Sequence, residues 1–71
     1  MTGARVDVVA NGRPYTVKSG TTVDAFVREL GLDPAFVIVE ANGEPLERVR
    51  YGDVFLASGD RLELVRAVAG G

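Results

Sequence analysis

Residues 5–10 read Arg-Val-Asp-Val-Val-Ala, a β-branched run with partial alternation, and Asn11-Gly12 follows at once. Alternation with period two marks a strand with one buried face, and Asn-Gly is the strongest short hairpin signal. A strand and a tight turn are therefore predicted. Residues 14–18 return as the second strand, with Tyr15 and Val17 on one face and Thr16 and Lys18 on the other. Pro14 stands at its beginning, where a missing N–H matters least.

Ser19-Gly20-Thr21-Thr22 breaks the strand, and Thr21 with Asp24 three residues on has the form of a helix N-cap with an acidic first turn. Val23, Phe26, Val27 and Leu30 then fall at i, i+3, i+4 and i+7, which is one apolar stripe, with Asp24, Arg28 and Glu29 toward water. Gly31 sits where a left-handed C-cap is wanted, and Pro34 lies just beyond. Val37-Ile38-Val39-Glu40-Ala41 reads as a third strand ending in a second turn, Asn42-Gly43, and Glu44-Pro45-Leu46 starts a short pairing strand. Residues 47–58 are irregular in pattern. Gly59-Asp60 closes them, and residues 61–66 alternate as a last strand with Leu62 and Leu64 inward.

Hairpin, helix, strand pair, irregular crossover and final strand describe one helix laid across one face of a mixed sheet of four to five strands, an α+β two-layer domain. The expected core is Val6, Val8, either Tyr15 or Val17, Val23, Phe26, Val27, Leu30, Val37, Val39, Leu46, Leu56, Leu62 and Leu64. With 71 residues there is room for one such core and no second domain. Hydrophobic residues at 46% and charged residues at 25% place the chain with globular domains rather than disordered ones.

Composition changes the picture mainly by subtraction. Cysteine and histidine are both absent, which removes thiol nucleophiles, imidazole bases, disulfides and Cys/His zinc sites together. A net charge of −2 gives no basic footprint for nucleic acid. The first residues, Met1-Thr2-Gly3-Ala4-Arg5, lack the basic start and apolar run of a signal peptide, and no stretch approaches a membrane span. A cytoplasmic protein with no membrane and no nucleic-acid partner is expected.

The remaining candidate for chemistry is the end of the chain. Two glycines at a given end occur by chance about once in two hundred chains, and a frayed terminus is the ordinary reading of such residues. Against that reading, the last strand runs almost directly into Val68-Ala69-Gly70-Gly71. The expected organisation is a folded domain over residues 1–67 and a flexible tail over 68–71. Four extended residues reach roughly 13 Å, and glycine at the last two positions leaves a thin chain free in its backbone angles. Such a tail can enter a partner's active site, with Val68, Ala69 and Gly70 in the channel and the Gly71 carboxylate as the reacting group.

With that tail in place, the sequence resembles the ubiquitin-like β-grasp sulfur carriers of the ThiS and MoaD type, ThiS most closely. The resemblance covers nearly the whole chain. It is carried by Asn11-Gly12, Gly20-Thr21-Thr22-Val23, the run from Val37 through Asn42-Gly43-Glu44, Gly59-Asp60-Arg61-Leu62-Glu63-Leu64, and Ala67-Val68-Ala69-Gly70-Gly71. Each piece alone is common; their order and spacing are specific. The resemblance implies that the chain is a substrate and not an enzyme. An E1-like adenylyltransferase would activate Gly71 with ATP, and a sulfur donor protein would convert the adenylate to a thiocarboxylate. Thiazole synthase would then take the sulfur for the thiamine thiazole. No cofactor would be bound by this chain itself.

The molybdopterin synthase small subunit shares fold and terminus, but its family usually carries prolines just ahead of the tail. Val65-Arg66-Ala67-Val68-Ala69 has none. Carriers for cysteine synthesis, tRNA thiolation or protein conjugation, and a plain β-grasp interaction module, also stay open on fold alone.

Alternation places Ile38 and Val65 on the sheet face away from the helix, near Glu40, Glu63 and Arg66, and Phe55 joins either that patch or the core. Ile38, Phe55 and Val65 are thus candidate partner-docking residues, weighed against the ordinary occurrence of scattered apolar residues on surfaces. Asp53 and Asp60 beside glycines fit turns better than metal or phosphate loops, since neither an EF-hand spacing nor a Gly-Lys-Ser/Thr motif is present. The pairs Glu44/Glu47 and Asp60/Glu63 read as solvated charge.

Overall fold

Strands and helix form in the order that the hydrophobic pattern predicts. The computed structural model describes residues 4–67. β1 (Arg5–Ala10) turns through Asn11-Gly12 into β2 (Arg13–Lys18), and the two pair antiparallel with Val8 opposite Tyr15. Both turn residues take positive φ, 51° and 79°, the requirement of the primed turns that match strand twist. The helix α1 (Val23–Glu29) follows, then a 3₁₀ turn at Pro34–Phe36, β3 (Val37–Ala41) and β4 (Glu44–Leu46). A second 3₁₀ turn at Arg48–Arg50 leads toward β5 (Arg61–Arg66).

The strand order is β2-β1-β5-β3-β4. β5 lies in the middle, parallel to β1 and antiparallel to β3, so the last strand of the chain is also the central one. The result is the ubiquitin-like β-grasp arrangement, a mixed five-stranded sheet crossed by one helix.

The helix is fixed at both ends by its own sequence. Thr22 is the N-cap, its side-chain oxygen accepting from the Ala25 N–H at 3.1 Å. This displaces the expected cap, Thr21, by one residue. Thr21 is buried, and its carbonyl accepts from the Leu56 N–H at 2.9 Å, so it ties the helix entry to the crossover loop. At the other end Gly31 takes φ 81° and its N–H bonds to the Arg28 carbonyl, while the Leu32 N–H reaches back to that of Val27. These two bonds make a Schellman C-cap. Arg28 pairs with Asp24 one turn earlier at 2.8 Å, and that hydrogen bond and charge raise the guanidinium above its usual range.

The core lies between α1 and the sheet. Val23, Phe26 and Val27 from the helix meet Val8, Val17, Val37, Val39 and Leu62 from the strands. Both Tyr15 and Val17 face inward, Val17 buried and Tyr15 half-buried with its ring edge-on to Phe26 at 5.4 Å between centroids. Ala10 and Tyr51 belong to the buried set as well, and hydrophobic pattern alone had not placed them there.

Tyr51 gives the crossover a structural role that its irregular pattern concealed. β4 ends at Leu46, opposite Val39, so no strand residue stands opposite Val37 on that side of β3. The Tyr51 hydroxyl takes the position instead. It donates to the Val37 carbonyl at 2.7 Å and accepts from the Val39 N–H at 3.1 Å, with the residue only 3% exposed. A side chain thus continues the ladder where the backbone turns away, as buried backbone polar groups require.

Candidate functional site

The site is built outward from β5. β3 flanks that strand over five residue pairs, from Ala41–Leu62 to Val37–Arg66. One further bond extends the ladder, from the Ala67 N–H to the Phe36 carbonyl at 2.7 Å. Backbone pairing therefore holds the chain as far as Ala67. The sequence-predicted residues Val68, Ala69, Gly70 and Gly71 lie outside the described residues.

On its other side β5 is paired with β1 only at Arg61 and Leu62. Beyond that point the hairpin turn takes over. The Asn11 backbone N–H bonds to the Leu62 carbonyl at 2.9 Å, and its side-chain amide brackets Leu64, accepting from the N–H at 2.8 Å and donating to the carbonyl at 3.1 Å. Asn11 acts as one more rung of β1. The second turn does the same at the start of β5. The Asn42 N–H bonds to the Arg61 carbonyl at 2.7 Å, and its side-chain oxygen accepts from the Arg61 N–H at 2.9 Å. The Asn42 amide also donates to Asp60, whose other carboxylate oxygen accepts from the Ala57 N–H at 2.8 Å.

Both Asn-Gly turns are thus clamps on the exit strand as well as reversals of the chain. Their positive φ was legible from the sequence. The use of the amide across 53 residues was not, because a turn dipeptide carries no mark of what its side chain will meet. Asp60 is occupied by turn hydrogen bonds, in agreement with its reading as a turn residue.

Around the end of β5, Gly31, Leu32, Asp33, Phe36, Val37, Arg66 and Ala67 line an open groove of about 660 Å³. Asp33 caps the following 3₁₀ turn through the Ala35 N–H at 2.9 Å. The groove's content is an apolar wall, the Asp33 carboxylate already engaged as a cap, and Arg66.

Of the proposed docking residues, Ile38 and Val65 stand directly opposite each other across β3 and β5, 50% and 57% exposed. The structure does not bring Phe55 to them. Phe55 is exposed, outside the core, and bridges Thr22 at the helix entry. That bridge lies outside the β3–β5 ladder that carries Ile38 and Val65. Phe36, also more than half exposed, is the apolar residue found near the pair instead. The sequence hid it because a single aromatic after Pro34-Ala35 has no periodicity to read.

The sheet order, helix and exit strand find counterparts among known proteins. The family model described as the ThiS family matches residues 6–71. The chain belongs to the ThiS family. Among solved structures of that family, a crystal structure of the thiamine biosynthesis protein ThiS from Geobacter metallireducens is 30% identical. It superposes with a TM-score of 0.74 over 93% of this chain and 100% of that one. A solution structure of a thiamine biosynthesis protein from the same organism gives 0.72 at 30% identity, covering 93% and 88% of the two chains. A designed protein based on human erythrocytic ubiquitin matches at 22% identity with a TM-score of 0.54 over 94% and 95%, which supports the fold alone.

Two curated relatives of this ThiS-family chain are thiazole synthases. That of Magnetococcus marinus is 38% identical over 61 residues, 86% of this chain and 19% of the relative. That of Paramagnetospirillum magneticum is 38% identical over 64 residues, 90% and 20% respectively. The chain spans about a fifth of the length of these relatives.

Proposed function

We infer that this chain is a sulfur carrier of thiamine biosynthesis that works through the Gly71 carboxylate and performs no catalysis itself. The observation that carries the reading is the family match, which runs through Gly70-Gly71 and so includes the residues immediately after the backbone bond at Ala67. Four residues follow Ala67, ending at Gly71, a span of roughly 13 Å when extended. A partner that docks on the domain can accept the tail within that reach.

In this reading an E1-like adenylyltransferase binds ATP and joins AMP to the Gly71 carboxylate with loss of pyrophosphate. A persulfide on a donor protein then attacks the acyl carbon and displaces AMP, and a thiol of the donor or activating protein cleaves the resulting acyl disulfide, forming a disulfide with the donor sulfur and leaving a thiocarboxylate on Gly71. The domain contributes position: a braced central strand, and glycines that let an attacking sulfur approach an acyl carbon free of side-chain bulk. ATP, the donor and the reactive groups belong to partners, in keeping with a chain that has neither cysteine nor histidine. Val68, Ala69 and Gly70 are assigned to the partner's channel, and the setting is the cytoplasm.

Thiazole synthase is the proposed acceptor. Support comes from the two thiazole synthases that contain a segment 38% identical to this chain. Deleting the gene tests the assignment: a requirement for thiazole or thiamine is expected, relieved by the intact chain and not by one lacking Gly71. A molybdenum-cofactor defect with normal thiamine synthesis would overturn it.

A further inference from the structure

The tripeptide Ala-Asn-Gly occurs twice, at 10–12 and 41–43, and each copy forms a tight turn with positive φ at both Asn and Gly. Asparagine followed by glycine is open to a reaction of the chain on itself. The glycine nitrogen can attack the asparagine side-chain carbon, because no Cβ hinders the approach. Among the described residues neither Gly12 nor Gly43 uses its N–H in a hydrogen bond, and a Cβ at either would meet nothing within 4 Å. Nucleophile and approach are therefore free at both turns. What differs is how each amide is held.

Reaction requires the amide to leave its partners and turn back over the next peptide. At Asn11 both arms end on the backbone of Leu64, a residue fixed on its other side by pairing with Val39. At Asn42 one arm ends on the Arg61 N–H at 2.9 Å, but the other ends on a side chain, the Asp60 carboxylate, at 3.1 Å. A side chain can rotate away where a strand backbone cannot, so the Asn42 amide opens at lower cost.

We propose that Asn42 is a site of spontaneous deamidation, and that its conversion weakens the start of the strand leading to Gly71. The Gly43 nitrogen bonds to the Asn42 side-chain carbon and gives up its proton to solvent, while the amide nitrogen takes a proton from solvent and leaves as ammonia. Water then opens the cyclic imide at either carbonyl, which gives aspartate or isoaspartate. Water is consumed and ammonia released, with no oxidant, cofactor or enzyme. Either product sets a carboxylate where the amide donated to Asp60, and two carboxylates at hydrogen-bond distance repel. Isoaspartate also adds a methylene to the main chain inside a two-residue turn whose length sets the strand register. Because Asp60 also accepts from the Ala57 N–H, the disturbance reaches the loop before β5 as well as Arg61.

The repeated tripeptide supplies its own control. The chain is aged in warm, mildly alkaline buffer, either folded or in concentrated urea, and the mass gain from NH2 replaced by OH is assigned to each turn by peptide mapping. Each folded rate is divided by the rate of the same site in urea, which removes the effect of flanking residues. Expected is a ratio at Asn42 about fivefold or more above that at Asn11, the scale of one hydrogen bond. Asp60→Ala, read against Asn11 in the same molecule, should widen the difference. The modified chain, separated by its extra negative charge, should show faster hydrogen exchange at the Arg61 N–H. Equal ratios at the two turns of the wild-type chain, or a larger one at Asn11, overturn the assignment. A difference that Asp60→Ala does not widen overturns the part given to Asp60, and unchanged exchange at Arg61 overturns the weakening of the strand.

Discussion

Replacing Tyr51 with Phe removes one oxygen atom and changes almost nothing else in volume. That oxygen satisfies the Val37 carbonyl and the Val39 N–H of β3 at a buried position. A buried backbone group left without a partner costs about 1 to 3 kcal/mol, so the pair together costs about 2 to 6 kcal/mol. A domain of this length holds roughly 4 to 10 kcal/mol in total. The variant should thus lose a large share of its stability, and its Tm should fall by roughly 13 to 40 °C. Far-UV circular dichroism melts and urea titrations measure the loss, with hydrogen exchange at Val39 reporting the site. Tyr15→Phe is the control: its hydroxyl makes no hydrogen bond within the described residues, and a shift within about 0.5 kcal/mol is expected. A Tyr51→Phe protein that melts with the Tyr15→Phe control would refute the claim that this hydroxyl completes the ladder.

Asn11→Asp keeps the acceptor for the Leu64 N–H but sets a carboxylate oxygen against the Leu64 carbonyl, and it should cost more than Asn11→Gly, which loses both bonds yet keeps the positive φ; equilibrium unfolding ranks the two. Phe26→Ala, at 1% exposure, should lose about 3 to 5 kcal/mol and leave a chain mostly unfolded near 37 °C by circular dichroism. Gly31→Ala forces a Cβ into a left-handed position with open space around it, so a loss of about 1 kcal/mol, from backbone conformation and not from a clash, should appear in urea titration.

Strand boundaries were legible in this chain to within a residue because nearly every element is delimited by a turn dipeptide or a cap. Asn11-Gly12 and Asn42-Gly43 end β1 and β3, and Gly31 ends the helix stop at its Schellman bonds. Period-two alternation then assigned faces correctly, with Ile38 and Val65 outward and Val37, Val39 and Leu62 buried. The failures share a cause. Tyr51, the Asn11 amide and Phe55 each depend on which distant element a side chain meets, and a local pattern carries no such information. The cap shifted from Thr21 to Thr22 for a related reason: a pair of adjacent threonines offers two caps, and the bond from Leu56 to the Thr21 carbonyl decides between them. The outer face of the sheet was half legible, since Ile38 and Val65 came from alternation whereas the opposition of Glu40 and Glu63 required the register of β3 against β5.

The most direct test of the account is the mass of the chain itself. Purified carrier is incubated with the adenylating enzyme, ATP and a sulfur donor, then weighed intact and fragmented from its C-terminal end. The account predicts a gain equal to one oxygen replaced by one sulfur, confined to the fragment that contains Gly71 and absent without ATP. An unchanged mass, or sulfur found elsewhere in the chain, would contradict it.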